Sequence, residues 1–183
     1  MGLAQSCTTS RHASVICCGL DCSGKSTILS HVSPNQYSTI LPTSGMQLEH
    51  FNKFGVDWKV WDVSGTGSNR SLWPLFYKHV GGIIFVVDAS DKERVSCARD
   101  ELSSVMTSHD FRRRKISLLI FFNKMDRDDD CMTVAEIETV LRLAQLKSMM
   151  RNVDMHIQAC SGMKGSGIEE GFRWMADSLN TAT

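Results

Sequence analysis

Residues 19–26 read Gly19-Leu20-Asp21-Cys22-Ser23-Gly24-Lys25-Ser26, the most informative segment of the chain about its fold. It matches the phosphate-binding pattern G-x-x-x-x-G-K-[ST] in full, between an apolar run at 13–18 and a helical segment. Its glycines permit a tight loop whose backbone N–H groups converge on phosphate oxygens, and the following helix adds its positive end. The pattern predicts that Lys25 reaches the terminal phosphates and that Ser26 offers its hydroxyl to magnesium. The alternative, a glycine-rich turn with an exposed lysine, leaves the motifs downstream unexplained.

Outward from this loop, apolar runs alternate with helical patterns. The runs at 13–18, 83–88, 116–122 and 153–159 are nearly continuously apolar, as in strands buried on both faces. Met46 to Lys53 and Val56 to Asp62 predict a hairpin that turns at Phe54-Gly55. Within its second strand, period-two spacing places Val56, Trp58 and Val60 on one face.

Three capping boxes predict helix starts, at Ser90, Thr133 and Ser166, each with a glutamate three residues later. Strands that alternate with helices predict an α/β fold. We expect a six-stranded, mostly parallel sheet with one antiparallel edge strand and helices on both faces. Ligands of such sheets bind at the carboxyl ends of the strands, so the chemistry should follow each strand.

Two segments can sense a third phosphate. Asp62 closes the second hairpin strand and suits a magnesium contact through water, although a plain turn aspartate is equally consistent with its position. Gly65 can bring a backbone N–H to the gamma-phosphate where a side chain would clash. Thr43, in Pro42-Thr43-Ser44-Gly45, can ligate magnesium only while that phosphate holds it, unless the segment is a simple turn. The predicted metal ligands are therefore Ser26, Thr43 and Asp62.

A base-reading motif, Asn123-Lys124-Met125-Asp126, directly follows the apolar run at 116–122. Asp126 can accept two hydrogen bonds from guanine N1–H and N2–H₂, which adenine does not offer, so a buried Asp126 would reject ATP. Asn123 is predicted to brace the loops, and the stem of Lys124 to lie along the base. By its place at the end of the last strand, Gln158-Ala159-Cys160 is predicted to aim a backbone N–H, from Ala159 or Cys160, at guanine O6.

The predicted site thus binds GTP or GDP with Mg²⁺. Its predicted nucleotide contacts are Gly19, Leu20, Asp21, Cys22, Ser23, Gly24, Lys25, Ser26, Thr27, Thr43, Gly65, Asn123, Lys124, Asp126, Ala159 and Cys160.

Composition limits the remaining classes of function. The length of 183 residues fits one domain, and 20 basic residues balance 20 acidic ones. A neutral chain has no global attraction to nucleic acid, so we expect no nucleic-acid partner. No run approaches the roughly 18 apolar residues of a membrane span. The seven cysteines lack zinc-like spacing and fit incidental or buried thiols in a reducing cytosol.

These motifs resemble the small GTPases and, within them, the Arf family. The residues that carry the resemblance are Gly19-Leu20-Asp21, Pro42 to Gly45, Trp61-Asp62-Val63, Leu72-Trp73 and Asn123 to Asp126. Ser64 and the segments Ile40-Leu41-Pro42-Thr43, Phe121-Phe122 and Lys164 to Gly167 are similar to a ciliary branch of Arf-like proteins that recruits the BBSome coat. The resemblance implies the small GTPase fold, an exchange factor, a GTPase-activating protein, and a coat or other effector bound in the GTP state.

The resemblance also implies that the hairpin shifts with GTP together with two switch segments, the first around Thr43 and the second after Asp62, and that this shift exposes an effector surface. The matching apolar positions are Met46, Trp61 and Phe76. Met46 departs from the family phenylalanine, so effector affinity can differ. For Trp61, an effector contact and a core position remain equally open.

A larger departure is Thr66, which stands where the family has a glutamine that orients the attacking water. The residues that would serve hydrolysis are Lys25, Gly65 and Thr66. A threonine hydroxyl is too short for the role of glutamine, and losing one transition-state donor costs about 10²-fold in rate. We expect intact GTP binding, very slow intrinsic hydrolysis, and restoration by a partner. The alternatives are a GTP-gated binding module with essentially no hydrolysis and a phosphate-loop nucleotide kinase.

The N-terminus, Met1-Gly2-Leu3-Ala4-Gln5-Ser6, fits the myristoylation pattern M-G-x-x-x-[ST]. We expect residues 1–12 to be a membrane-anchor segment attached through myristoylated Gly2, and residues 13–183 to be the GTPase domain. One myristoyl chain binds membranes with K of only about 10⁴ M⁻¹, so stable residence needs a second contact such as the coat. Cys7 could carry a second acyl chain or remain a free thiol. The expected location is cytoplasmic and peripheral to the membrane at the base of a cilium or flagellum.

Overall fold

A computed structural model describes residues 11–33, 43–111, 114–127 and 130–180. The predicted anchor at Gly2 and Cys7, and Pro42 of the first switch segment, lie outside these residues. The strands are β1 (Arg11–Gly19), β2 (Met46–Lys53), β3 (Val56–Val63), β4 (Gly82–Asp88), β5 (Ile116–Asn123) and β6 (Val153–Ala159). The helices are α1 (Lys25–Val32), α2 (Pro74–Tyr77), α3 (Val95–Met106), α4 (Val134–Leu141), α5 (Leu143–Met149) and α6 (Ile168–Asn180). Two 3₁₀ turns lie at Arg70–Leu72 and His109–Phe111.

The six strands form one sheet in the order β2-β3-β1-β4-β5-β6. Every neighbouring pair is parallel except β2 and β3, which form the predicted antiparallel hairpin at one edge. The fold class predicted from the sequence is therefore confirmed. The loop between β1 and α1 lies at the carboxyl end of a central strand, where a ligand of such a sheet binds.

Helices cover both faces of the sheet, as predicted. On one face α1 and α6 pack over a core that contains Val15, Trp58 and Phe172. On the other face α3 and α4 pack over Ile16, Phe85 and the remaining core. Val56, Trp58 and Val60 all belong to the α1–α6 side, in agreement with their period-two spacing. All eight residues of β5 are buried, which explains its continuous apolar run.

Of the three predicted helix starts, only the one at Thr133 is correct. Its side chain accepts a hydrogen bond from the Glu136 N–H and the Glu136 carboxylate accepts one from the Thr133 N–H, a complete capping box. The box at Ser90 is wrong because its hydroxyl donates to Asp88 at 2.7 Å, and α3 begins only at Val95.

The box at Ser166 is also wrong. Helix α6 begins at Ile168, so Ser166 precedes the position of a cap, and Glu169 pairs instead with Lys53 at 2.9 Å. This ion pair joins the tip of the hairpin to α6.

Candidate nucleotide-binding site

The phosphate loop is a tight turn between β1 and α1. Gly24 sits at the N-cap of α1 with φ 92°, a left-handed conformation, and an added Cβ would lie 2.2 Å from Asn123 Nδ2. Lys25 is buried, and its Nζ donates to the carbonyls of Leu20 at 2.8 Å and Gly19 at 3.2 Å. The ammonium group is therefore held inside the curve of the loop, where it would meet phosphate oxygens.

The three predicted metal ligands come together although they lie on separate segments. Ser26 Oγ donates to Asp62 Oδ2 at 2.6 Å and lies 3.0 Å from Thr43 Oγ1. Thr43 Oγ1 lies 3.4 Å from the same carboxylate oxygen. Two hydroxyls and one carboxylate are hard oxygen donors of the kind that Mg²⁺ prefers.

A buried oxygen of Asp62 without a hydrogen-bond partner shows whether this cluster suits a cation. Asp62 is 3% exposed, and its Oδ1 is buried without a hydrogen-bond partner. Burial raises the pKa of the Asp62 carboxyl, against the hydrogen bond from Ser26 and the charge of Lys25. A buried carboxylate with a free oxygen beside two hydroxyls fits a magnesium site, because the cation would compensate the buried charge.

The segment after β3 packs directly on the phosphate loop. An added Cβ on Gly65 would lie 2.3 Å from the carbonyl oxygen of Gly19 and 2.4 Å from the Asp21 nitrogen. The predicted clash of a side chain at this position is therefore with the phosphate loop itself. Thr66, in contrast, is exposed, and its hydroxyl lies 3.1 Å from Ser64 Oγ. The Thr66 side chain is thus directed toward its own loop.

The base-reading loops meet at Asn123, which braces them as predicted. Its Nδ2 donates to the carbonyl of Ser23 in the phosphate loop at 2.8 Å. Its Oδ1 accepts from the Gly162 N–H, also at 2.8 Å. One buried amide therefore ties the phosphate end of the site to the base end. The ammonium group of Lys124 pairs with Asp88 at the end of β4.

Asp126 stands at this end but is half-buried, not buried as we expected from the sequence. A hydrogen bond from the Ser161 side chain holds the pKa of the Asp126 carboxyl below its usual value. The acid is therefore ionised near neutral pH, which is the form that accepts two hydrogen bonds from a base edge.

The assignment of guanine O6 to Cys160 needs correction. Its N–H donates to the carbonyl of Phe122 at 2.8 Å and so continues the β5–β6 ladder beyond Ala159. This bond does not involve the Ala159 N–H, whose role stays a prediction. In the loop that follows, Ser161 hydrogen-bonds Asp126 and Gly162 donates to Asn123, and neither residue was predicted. The length of the apolar run did not reveal this, because sheet pairing continues one residue past the last apolar position.

Sequence reasoning also missed two arginines beside Asp21. Arg94 Nη1 donates to Asp21 Oδ2 at 3.0 Å, and Arg70 Nη2 lies 3.5 Å from Asp21 Oδ1. These arginines belong to no sequence motif that we used, but an acidic residue inside a phosphate loop indicates that cations lie nearby.

The predicted effector positions lie beside the switch segments. Met46 is 49% exposed, whereas Trp61 and Phe76 are half-buried with ring centroids 5.0 Å apart. Trp61 packs against the core and is only half-buried, so its position is compatible with both the core and the effector interpretation. Leu48, Leu72 and Leu75 are exposed nearby in sequence. Among the described residues, no helix is both long and apolar enough to cross a membrane.

Comparisons with known proteins identify the family of this chain. Residues 2–179 match the model of Arf, the ADP-ribosylation factor family. The chain is 37% identical to ADP-ribosylation factor-like protein 6 of Danio rerio over 171 residues, which cover 92% of this chain and 89% of that protein. It is 40% identical to ADP-ribosylation factor-like protein 5A of Homo sapiens over 165 residues, which cover 90% and 88%.

A solved structure matches with a TM-score of 0.86 and 34% identity, covering 94% of this chain and 99% of the other. It is the Arl6 BBS3 small GTPase from Trypanosoma brucei with the bound nucleotide analogue GppNp. Members of this family bind GTP and GDP and generally hydrolyse GTP. The chain therefore belongs to the Arf family of small GTPases and is a guanine-nucleotide-binding switch of the Arf-like kind.

Proposed function

We propose that this chain is a slowly hydrolysing switch whose GTP form recruits a coat or other effector to a ciliary or flagellar membrane. The observation that carries the proposal is the meeting of Ser26, Thr43 and Asp62 within hydrogen-bond distance. Thr43 belongs to the segment that follows α1, so a ligand that recruits its hydroxyl also orders that segment. The bound nucleotide would thereby determine the shape of the surface that this segment forms.

In this proposal each group of the site has a separate task. Lys25 and the loop N–H groups bind the phosphates, while Asn123 and Asp126 orient the base. Ser26, Thr43 and Asp62 would hold Mg²⁺, which supplies charge neutralisation on the phosphate oxygens. Gly65 lies on the phosphate loop and would present its N–H to a third phosphate.

Hydrolysis is proposed to be slow because of Thr66. Its hydroxyl lies beside Ser64, and a threonine does not extend far enough to orient a water as a glutamine would. An activating protein that inserts a missing group would restore turnover. The alternative, a GTP-gated binding module with essentially no hydrolysis, is favoured by the same residue.

The effector is proposed to be a BBSome-like coat subunit that binds the exposed apolar positions beside the switches, Met46, Leu72 and Leu75. The support is the likeness to factor-like protein 6 and to the Trypanosoma brucei protein. Myristoylation of Gly2 would supply a first membrane anchor, and the coat would supply the second.

A pull-down from ciliated cells tests this function. The chain is loaded with GppNp or with GDP, and captured proteins are identified by mass spectrometry. Coat subunits enriched only with GppNp support the proposal, and equal capture in both states contradicts it. Single-turnover GTP decay, measured with and without cell extract, separates a slow GTPase from a module without hydrolysis.

A further inference from the structure

Arg70 joins three parts of the molecule. It lies in the 3₁₀ turn after β3, and its side chain is 16% exposed. Its Nε donates to the carbonyl of Gly65 at 2.7 Å, and its Nη1 donates to Glu101 of α3 at 2.9 Å. Its Nη2 lies 3.5 Å from Asp21 in the phosphate loop. One guanidinium therefore links the segment after β3, the phosphate loop and a fixed helix.

The bond to Gly65 constrains the residue whose N–H would meet a third phosphate. The Gly65 backbone already touches the phosphate loop, because an added Cβ would lie 2.3 Å from Gly19. A hydrogen bond to the Gly65 carbonyl fixes the orientation of the peptide group that follows Gly65, and so restricts where the Gly65 N–H, on the preceding peptide group, can point. The planar fork of arginine can hold the carbonyl and both carboxylates at once, which a lysine cannot do.

The charges around Arg70 are arranged so that it stays in place. Glu101 anchors it to α3, and Arg94, which also pairs with Asp21 and Asp91, supplies the second cation of the cluster. Asp21 is therefore compensated from two sides, and its carboxylate does not face a phosphate uncompensated. Partial burial raises the pKa of Asp21, but the bond and charge of Arg94 outweigh it and hold the pKa below its usual value.

We propose that Arg70 is a positioning residue that holds the Gly65 peptide against the phosphate loop and thereby sets the preference of the site for a nucleoside triphosphate over a diphosphate. This role rests on the proposed function, since it assumes that Gly65 meets the third phosphate. Arg70 belongs to none of the sequence motifs, and in this role it would couple α3 to the bound nucleotide.

Equilibrium binding of fluorescent GppNp and GDP to the full chain tests this role. For Arg70→Ala we expect GppNp affinity to fall about tenfold, the size of a charge-assisted hydrogen bond, while GDP affinity changes less than about twofold. Arg70→Lys keeps the charge but cannot hold all three partners, so it should restore only part of the ratio. Glu101→Gln releases the anchor and should shift the ratio in the same direction by a smaller factor.

Arg99→Ala is the matched control, because Arg99 lies on the same helix as Glu101 and pairs with its chain neighbour Asp100 at 2.8 Å. It should leave both affinities unchanged. Equal weakening of GppNp and GDP in Arg70→Ala, or an unchanged ratio, overturns the proposed role. If Arg70→Ala does not fold, the ratio in Arg70→Lys and Glu101→Gln decides the question. A wild-type chain that binds neither nucleotide overturns the proposed function itself, and this role with it.

Discussion

The two ends of the nucleotide site are built differently. At the base end, the buried Asn123 amide bonds two backbone groups, the Ser23 carbonyl and the Gly162 N–H, each at 2.8 Å. At the phosphate end, the segment after β3 is held by side chains that reach across from other elements, above all Arg70. In the proposed function, the residue that braces the base end is held by bonds to the backbone, whereas the segment that would meet a third phosphate is held by bonds from side chains.

The departures from the family follow the same division. The base end keeps Asn123, Lys124 and Asp126, the residues of the family motif. Thr66 lies at the phosphate end, and its side chain is exposed. In the proposed function, a change at Thr66 alters the rate of hydrolysis and not the choice of base, because recognition of the base is assigned to the other end. This contrast predicts large losses of binding at one end and changes of rate at the other.

The largest effect should come from Asp126→Asn. An amide in place of the carboxylate presents a donor to guanine N2–H₂, so GDP affinity should fall about 10³-fold. Xanthosine diphosphate, whose C2 carbonyl accepts from that amide, should bind better to the variant than to the wild type. Isothermal titration measures both. Asp130→Asn, an exposed acid a few residues on, is the control. Undiminished GDP binding by Asp126→Asn would show that this carboxylate does not read the base.

The next largest effect should be on the rate of GTP hydrolysis at the phosphate end. Thr66→Gln should raise single-turnover GTP hydrolysis about 10²-fold, because it returns a side chain that can orient the attacking water. GTP affinity should be unchanged, and Thr66→Ala should hydrolyse as slowly as the wild type. Ser68→Gln, on an exposed neighbour in the same loop, controls for a nonspecific glutamine effect. Rapid hydrolysis by the wild type, or no gain in Thr66→Gln, argues against the assigned role of Thr66.

The smallest effect should come from the loss of one hydrogen bond at the base end. His31 Nε2–H donates to the carbonyl of Gly162 at 2.7 Å and so supports the loop that faces Asp126. Because His31 is exposed, losing this bond in His31→Ala should speed GDP release only about threefold. His31→Gln, which retains a donor, should restore the slow rate, and the exposed His109→Ala should not alter it. Stopped-flow displacement of a fluorescent GDP follows the release. A rate in His31→Ala equal to that of the wild type would remove His31 from the base end.

Much of the scaffold could be predicted from the sequence because burial on both faces leaves a clear pattern. The hairpin at Met46–Lys53 and Val56–Val63 and the last strand at Val153–Ala159 were placed nearly to the residue. Apolar periodicity records which residues avoid water, and water exclusion is what fixes these elements.

The remaining errors involve competition between polar groups. Ser90 fits a cap by spacing, but the neighbouring Asp88 accepts its hydroxyl and Asp91 accepts the Arg94 N–H at 3.1 Å. Cys160 has a suitable position, but its N–H is already used by Phe122. Local spacing does not reveal which of several acceptors takes a donor, because that depends on the packed structure.

The hairpin at the sheet edge has one further consequence. Within the described part of the chain, β3 alone pairs it with the rest of the sheet, through a parallel ladder to β1 that runs from Arg11–Val56 to Cys17–Asp62. Alternate side chains of β3 point to opposite faces, so a slide by one residue would turn Trp58 out of its core, whereas a slide by two would put apolar groups back into equivalent places. Any shift of the hairpin along β1 would therefore occur in steps of two residues, or about 7 Å. A shift by one residue is disfavoured because it would remove Trp58 from the core.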